Sequence, residues 1–346
     1  MRRYRSSIAS VAWSLTLGIA ALPTLAPHIA IAQSQQPFPS QERINLDEAL
    51  RLRLLGDQKQ RDGELNEAIE FWLQSLELYE RLGELPAMGQ IYRDLGEVYL
   101  QAGRLNQALT ARENQLSVAR ALNDELGLAY ALNDFGSALL ARGLIDRAAV
   151  QFEEALSISE GLGSPLGRGI SLNHLGLVAM GQGNLMEAAE RYEEALRWHY
   201  QAGDPLEQAT TLNNLGAAYW LLEDYDRSIG VYGEALQLAR VSGDNANLFR
   251  AIDGLAVAHT QVGRYFRALE LLEERLELSQ ALEDERQELA SLTLTAQLYD
   301  AANLPQDAIW YYQEALELAR SLDDRWEENE LEDRLRNLLG RVGEEN

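Results

Sequence analysis

The sequence predicts an all-α fold, a solenoid of stacked helix pairs, and three observations support this prediction. One pattern recurs seven times in register at a constant spacing, with no insertion between copies. Each copy holds two stretches with apolar residues every three to four positions, the periodicity of an amphipathic helix. Glycines separate these stretches at fixed positions. A fixed period of about 40 residues is typical of repeat proteins in which each unit packs only on its neighbours.

Residues 1–32 are expected to be a signal peptide and not part of this fold. Three arginines near the N-terminus precede an uncharged apolar stretch over residues 8–22. Ala30 and Ala32 then place small side chains where signal peptidase requires them, for cleavage after Ala32. A membrane-spanning helix needs about 20 apolar residues, so this stretch is short for one. We expect export to the periplasm or the extracellular space, with no membrane insertion after cleavage. An uncleaved anchor and twin-arginine export stay open as alternatives.

A flexible linker is expected over residues 33–45, between the cleavage site and the first repeat. This segment contains Pro37, Pro39 and several polar side chains, and its apolar residues follow no helical period. Such segments act as tethers between structured parts. The seven repeats are then expected to occupy residues 46–322.

The first helix of each repeat is expected to contain a bulky residue followed by a small one. The small residue is glycine in five copies and alanine in two. Glycine in mid-helix costs about 1 kcal/mol relative to alanine. Its recurrence therefore indicates that another helix crosses close to this point. The small residues are Gly56, Gly96, Gly136, Gly176, Gly216, Ala256 and Ala296.

The end of each first helix is marked by a residue suited to the left-handed backbone conformation. Five copies have glycine there, and the seventh has Asn303. Both residue types adopt the left-handed conformation that ends helices. Glu223 is the exception at this position.

The second helix of each repeat is expected to pair a small residue with a bulky one four positions later. The small residue is alanine in six copies and Ser228 in the other. The bulky residue is aromatic in five copies, and Arg112 and Leu272 are the departures. Small and bulky side chains at this spacing let two helices interlock. The aromatic residues are Trp72, Phe152, Tyr192, Tyr232 and Tyr312.

Residues 323–346 are expected to form a capping helix and a short tail. One apolar stripe runs along this stretch, and charged residues such as Glu328, Glu332, Asp333 and Arg336 lie off it. A helix with one apolar and one charged face closes the open end of a solenoid. The stripe consists of Leu331, Leu335, Leu338, Leu339 and Val342.

The recurring residues of both helices resemble those of the tetratricopeptide repeat, in register over residues 46–322. The commonest form of that repeat has about 34 residues, and the units here are longer, at about 40 residues. The chain is therefore similar to the long-repeat variety found in kinesin light chains. The resemblance implies seven helix-turn-helix repeats in a right-handed superhelix, which binds a segment of a partner protein in its concave groove.

The net charge of −24 limits the class of partner. Nucleic acids and anionic membranes bind clusters of Lys and Arg, so neither is expected. A protein or peptide partner with basic character fits better, as do loosely held divalent cations. The alternative is that the acidity only keeps the protein soluble. Because the chain has no cysteine, disulfides, thiolate zinc sites and a cysteine nucleophile are excluded.

No catalytic arrangement is recognisable, and we expect neither enzyme activity nor a cofactor. The four histidines lack the spacing of a zinc protease. Adjacent glutamates such as Glu153 and Glu154 do not converge on one helix face. Two other functions stay open: an assembly factor that also binds divalent metal ions on its acidic surface, and a regulatory subunit of a separate enzyme.

Two positions just before the small residue of the first helix are the candidate binding residues. They are expected to point away from the core and to form a ladder along the concave wall. Asparagine is a poor helix former, but its amide can pair with the backbone of an extended peptide whatever the peptide's side chains. The earlier position holds Arg93, Asn133, Asn173, Asn213 and Asp253, and the later one holds Asp94, Asp134, His174 and Asn214.

Tyr130 and Trp220 also fall on the expected inner wall, where each would anchor a partner or only fill the groove. In kinesin light chains a similar Leu-Asn-Asn-Leu stretch lines the peptide groove, and this chain matches it fully at residues 212–215. The alternative for the asparagines is that their amides bond helix to helix and contact no ligand. The sequence does not indicate the identity of the partner or the oligomeric state.

Overall fold

A computed structural model describes residues 40–344, and fifteen α-helices follow one another in this part of the chain. No strand occurs within these residues. The predicted all-α fold of repeated helix pairs is confirmed. The handedness of the superhelix stays a prediction.

The chain divides into two compact units, with the boundary between residues 204 and 205. The helices of the first unit are α1 (Ser40–Arg61), α2 (Leu65–Leu82), α3 (Leu85–Gln101), α4 (Leu105–Leu122), α5 (Glu125–Ala141), α6 (Ile145–Gly161), α7 (Pro165–Gly181) and α8 (Leu185–Ala202). Those of the second unit are α9 (Pro205–Leu221), α10 (Tyr225–Ser242), α11 (Asn245–Gln261), α12 (Tyr265–Ala281), α13 (Glu285–Ala301), α14 (Pro305–Ser321) and α15 (Arg325–Glu344).

Within each unit the odd-numbered helices are the first helices of the repeats and the even-numbered helices are the second. Each first helix packs on the second helix that follows it, and that second helix packs on the next first helix. Successive first helices also touch, as α5 and α7 do in one unit and α9 and α11 do in the other. Each repeat therefore stabilises its neighbour, as expected for a solenoid.

The expected close crossing lies at the glycine of the first helix. A side-chain carbon added to Gly136 would come within 2.5 Å of the Phe152 ring on the paired helix. At Gly216 the ring of Tyr232 would lie 2.8 Å away. Both distances are below van der Waals contact, so only a glycine, or an alanine after a local shift, fits beside the ring.

The first helices end as predicted, with left-handed residues at the expected positions. Gly143 has φ 78° and Gly263 has φ 74°. Asn303 follows with φ 61°, and Glu223 adopts the same conformation with φ 62°. The left-handed backbone is therefore maintained even at Glu223, a residue type that rarely adopts it, at a cost of about 1 kcal/mol or more.

The two ends of the described region differ in detail from expectation. The signal peptide and most of the linker lie outside the described residues, but α1 begins at Ser40 and so includes the last part of the expected linker. Glu42 in the first turn favours an early start through the helix dipole. In the capping helix α15, Leu331 and Leu338 are buried, whereas Leu339 is exposed and does not belong to the buried stripe.

Replacing Glu223 by glycine is expected to stabilise the protein by about 1 kcal/mol, because glycine adopts positive φ without strain. The matched control is Gly263→Ala, where an added side chain meets no atom within 4 Å and only the backbone conformation is penalised. This control is expected to be destabilised by about 1 kcal/mol. Chemical denaturation of the three proteins measures both changes. Equal stability of Glu223→Gly and the unchanged chain would contradict the expectation.

Candidate partner-binding surface

The bulky residue of the second helix lies in the gap between two successive first helices. Phe152 of α6 packs against Gly136 of α5 on one side. On the other side it stacks on His174 of α7, with the ring centroids 4.7 Å apart. Arg112 of α4 occupies the equivalent gap, and its guanidinium donates to Asp134 over 3.2 Å. A side chain of the second helix thus fills the space between two successive first helices.

The same arrangement occurs in the second unit. Tyr232 of α10 lies between Gly216 of α9 and Gly254 of α11, and an added side-chain carbon at either glycine would collide with its ring. In these gaps the residue of the second helix therefore meets the later ladder position of the next repeat. We call these pairs the gap floor: Arg112 with Asp134, Phe152 with His174, and Tyr232 with Gly254.

A stripe of half-buried side chains runs along each first helix beside the gap floor. In α7 it consists of Ile170, His174 and Leu177. Their spacing of four and three residues places them on one helix face. Tyr130 and Asp134 belong to the corresponding stripe of α5. We call these surfaces the inner stripes, and they are the part of the first helices that a partner can reach.

Four of the five residues predicted at the earlier ladder position lie inside the structure, contrary to expectation, and Arg93, whose side chain is 40% exposed, is the exception. Asn133 is 2% exposed and Asn173 is 5% exposed. The Asn133 amide donates to Ala129 O at 3.0 Å and to Ser171 Oγ at 3.1 Å. Its oxygen lies 3.2 Å from His174 Nδ1. The amide is thus saturated by its own helix and the next first helix, which corresponds to the structural alternative for this residue.

Asn213 takes part in a second network between first helices, with a residue that the sequence analysis missed. Its amide donates to both Asn247 O and Asn247 Oδ1, at 3.1 and 3.0 Å. Asn247 is 1% exposed and donates to Thr210 Oγ1 at 2.9 Å. The Oδ1 atom of Asn213 accepts no hydrogen bond from any described residue. Asn247 does not belong to either ladder position. The only signal in the sequence was the nearby Asp244, which caps the start of α11 and accepts a hydrogen bond from the Asn247 backbone.

The later ladder position is more accessible in the first unit. Asp94 is half-buried beside Arg93, whose guanidinium lies 3.6 Å from its carboxylate. Asn214 in the second unit is buried, and its oxygen accepts a hydrogen bond from Arg250 at 2.7 Å. Trp220 is half-buried, and its Nε1 atom has no hydrogen-bond partner within residues 40–344.

Asp253 is buried in an ion pair with Arg275, a residue that the sequence analysis also missed. The Arg275 side chain is 3% exposed and that of Asp253 is 7% exposed. Arg275 also donates to Gln287 O at 2.8 Å and to Ser291 Oγ at 2.6 Å. Burial raises the pKa of Asp253, although Arg275 acts in the opposite direction. A signal was available, since the position of Arg275 holds alanine in four of the seven repeats.

The histidines of the first unit are held neutral by their surroundings. Burial lowers the pKa of His174 to about 4, although Asp134 acts in the opposite direction. Burial also lowers the pKa of His199 to about 4. His199 is fully buried in α8, so it belongs to the core and not to an inner stripe.

Metal-ligand clusters and membrane-spanning helices are absent from the part of the chain that the structure describes. Within the described residues, no three His, Asp or Glu side chains are grouped as metal ligands would be. Across residues 40–344, every helix is too short or too polar to span a membrane.

Helix pairs of this geometry, repeated in register, define an α-helical repeat protein. A family model for the tetratricopeptide repeat matches residues 47–113, 88–161, 168–240 and 245–321. These matches cover well over half of the chain, and the chain belongs to the tetratricopeptide repeat family. No curated protein sequence matches it significantly.

Three solved structures illustrate the similarity in fold. BtubC (BKLC) from P. vanneervenii aligns with a TM-score of 0.57 and 23% identity, over 63% of this chain and 92% of that chain. A Rap protein complexed with Competence and Sporulation Factor aligns with a TM-score of 0.55 and 14% identity, over 88% of this chain and 99% of that chain. A putative kinesin light chain from Podosopora anserina aligns with a TM-score of 0.51 and 18% identity, over 56% of this chain and 96% of that chain. At these identities the likeness concerns the fold alone.

Replacing Asp253 by alanine is expected to destabilise the second unit by roughly 3–5 kcal/mol, because Arg275 is left as an uncompensated buried charge. The double variant Asp253→Ala with Arg275→Ala removes both charges and places alanine where most repeats have it in the second helix. It is expected to be more stable than the single variant. Chemical denaturation of both variants makes the comparison. A double variant less stable than Asp253→Ala would show that the pair is not the source of the effect.

The lowered pKa of His174 predicts a loss of stability in acid. As the pH falls from about 6.5 towards 4, the unfolded chain binds a proton that the folded chain does not, which favours unfolding. His174→Gln removes this titration. Relative to its stability at pH 7, the variant should therefore lose roughly 2–3 kcal/mol less than the unchanged chain at pH 4. Denaturation across this pH range measures the difference, and parallel curves would contradict the assignment.

Proposed function

We propose that the protein is an exported, non-catalytic scaffold that binds an extended, basic segment of a partner protein along its inner stripes. The observation that carries the proposal is the row of half-buried side chains on successive first helices, beside a filled gap floor. Tyr130, Ile170 and Leu177 place apolar and aromatic surface there. Aromatic side chains are enriched in protein–protein interfaces, and apolar side chains occupy the interface core.

Because several ladder residues are buried, the two proposed roles, holding the helices and contacting the partner, fall to different residues of the ladder. Asn133 already satisfies its amide through its own and a neighbouring first helix. Its proposed contribution is therefore to hold adjacent inner stripes at a fixed spacing. Direct contact with the partner falls to the half-buried ladder residues, Asp94, Asp134 and His174, together with Tyr130 and Trp220.

The charge of the inner surface favours a basic segment. Burial raises the pKa of Asp94 and of Glu97 on α3, although Arg93 acts in the opposite direction on Asp94 and Arg112 on Glu97. A cationic side chain from a partner would stabilise their ionised forms. Two of the nearby arginines are paired with carboxylates: Arg112 with Asp134 and Glu97, and Arg93 with Asp94. Arg250 donates to the neutral amide of Asn214 and keeps its positive charge.

Export rests on residues 1–32, whose basic start, apolar stretch and Ala30 to Ala32 cleavage signal have the order of a signal peptide. The partner is then a protein of the periplasm or the extracellular space. A Rap protein of similar fold has been crystallised with Competence and Sporulation Factor, which supports a binding role for helical repeats of this kind.

The proposal predicts that charge placed on an inner stripe abolishes binding. The chain from residue 33 onward is used to capture proteins from the exported compartment, beside the double variant Ile170→Lys with Leu177→Lys. The matched control is Val150→Lys with Met186→Lys, at second-helix residues that are 57% and 60% exposed. We expect one protein, identified by mass spectrometry, to be retained by the control and lost with the inner variant.

Circular dichroism first establishes that both variants melt like the unchanged chain. Retention of the same protein by the inner variant, or its loss with the control alone, would place the binding surface elsewhere.

A further inference from the structure

The seventh repeat carries three aromatic side chains that contact one another at its surface. Tyr299 of α13 stacks on Tyr311 of α14, with the ring centroids 5.3 Å apart and the planes inclined by 15°. Trp310 of α14 lies nearly perpendicular to Tyr311, with the centroids 4.6 Å apart. Both tyrosines are half-buried, whereas Trp310 is 53% exposed. We call these three rings the aromatic corner.

The fold does not require a ring at the position of Trp310. In the first six repeats this position holds, in chain order, Glu70, Thr110, Val150, Glu190, Gly230 and Glu270. Glycine, valine and glutamate are therefore all compatible with the helix pair. A half-exposed indole adds little stability, since hydrophobic stabilisation grows with the apolar area removed from water. Tryptophan is also among the residues that most often anchor protein interfaces.

Three carboxylates lie beside the aromatic corner. Asp307 precedes Trp310 by three residues and Glu314 follows it by four, so these side chains share one face of α14. Glu273 approaches from α12, and all three carboxylates are exposed. Burial raises the pKa of both tyrosines of the corner, and the negative charges of Glu273 and Asp307 raise it further. The rings therefore lie in a negative electrostatic field.

These carboxylates are not neutralised by the part of the chain that the structure describes. Glu273, Asp307 and Glu314 form no ion pair within residues 40–344. The arginines of the helices around the corner are each paired with another carboxylate. The pairs are Arg267 with Glu270, Arg275 with Asp253, Arg320 with Glu328, and Arg341 with Asp300.

The preceding repeat has an arginine where the surface beside the corner has none. Glu274 occupies the position equivalent to Glu314 and pairs with Arg240 of the second helix before it. The position equivalent to Arg240 in the next repeat holds Gln280. The Gln280 amide donates to Glu288 over 2.8 Å. Glu314 therefore lacks the arginine that its equivalent has.

We propose that the aromatic corner is a second binding site, which takes an arginine side chain of a partner protein. The guanidinium would lie over the exposed face of Trp310 and donate to Asp307 and Glu314 on either side. Along the helix axis these two residues lie about 4.5 Å and about 6 Å from Trp310. The inference goes beyond the inner-stripe proposal and does not depend on it, because Trp310 and the three carboxylates belong to second helices.

The chemistry of the corner favours arginine over other occupants. A planar guanidinium can stack on an aromatic ring and donate to carboxylates at the same time. The lysine ammonium is a compact, strongly hydrated charge that does not stack in this way. A second copy of this chain would bring the same carboxylates to the interface, where like charges repel.

The probe is a synthetic peptide in which arginines alternate with serines, beside analogues in which lysine or citrulline replaces each arginine. Citrulline keeps the planar shape of arginine but has no charge. The chain from residue 33 onward is labelled with 5-fluorotryptophan and studied by ¹⁹F NMR at low salt, because exposed charges are screened at higher ionic strength. The Trp310 signal is assigned by its absence from Trp310→Val.

Two variants separate the corner from the rest of the acidic surface. Trp310→Val introduces the residue that the third repeat has at this position, Val150. Trp326→Val removes an indole that is 74% exposed and lies on α15, and it is the matched control. The thermal melting of both variants is measured first. The affinity of each protein for the three peptides is then measured by fluorescence anisotropy of labelled peptide.

We expect the arginine peptide to shift the Trp310 signal and the citrulline peptide to leave it unmoved. The unchanged chain should bind the arginine peptide about threefold to fivefold more tightly than the lysine peptide, because the guanidinium stacks on the indole. Trp310→Val should remove this preference, and Trp326→Val should keep it.

An unmoved Trp310 signal, or equal affinity of the unchanged chain for the arginine and lysine peptides, would overturn the site. A Trp310 signal that moves with protein concentration alone would also overturn it, since a second copy of the chain would then occupy the corner. Binding that is lost in Ile170→Lys with Leu177→Lys and unchanged in Trp310→Val would overturn the corner while supporting the inner-stripe proposal.

Discussion

The structure depends on one recurring contact, in which a second helix places a bulky side chain in the gap between two first helices. Gly136 lets Phe152 approach to a distance that any larger residue would prevent. The ring then continues to His174 of the following repeat. One side chain therefore joins three helices and fixes the distance between successive first helices. Because this contact recurs, the spacing of the pattern stays constant throughout the repeats.

The same contact determines what a partner would meet on the inner face. Where the residue filling the gap is aromatic, a ring lies against the next first helix, as Phe152 does on His174, and where it is Arg112, the floor carries an ion pair with Asp134. Variation at this position thus changes the binding surface while the backbone repeat is maintained. Buried hydrogen bonds such as those of Asn133 then hold neighbouring first helices together.

The fold could be predicted from the sequence because the constraint is local and repeated seven times. For the candidate site, the position of a residue on its own helix was not enough to predict whether its side chain is exposed. Asn133 lies off the face that meets the second helix, but the next first helix covers it, and a single helix does not reveal that second neighbour. Arg275 stood out as a departure from alanine, yet its partner Asp253 lies 22 residues away on another helix. This pair depends on how the two helices of one repeat cross, which periodicity alone does not provide.

Site-specific photocrosslinking would show whether partners bind along the inner stripes. A photoreactive p-benzoyl-phenylalanine replaces Leu177 on the inner stripe of α7 or, in a separate protein, Val150 on the exposed side of α6. After irradiation in the exported compartment, we expect a covalent adduct with one partner protein from position 177 and none from position 150. An adduct that forms only from position 150 would refute binding along the inner stripes, since the partner would then lie against the second helices.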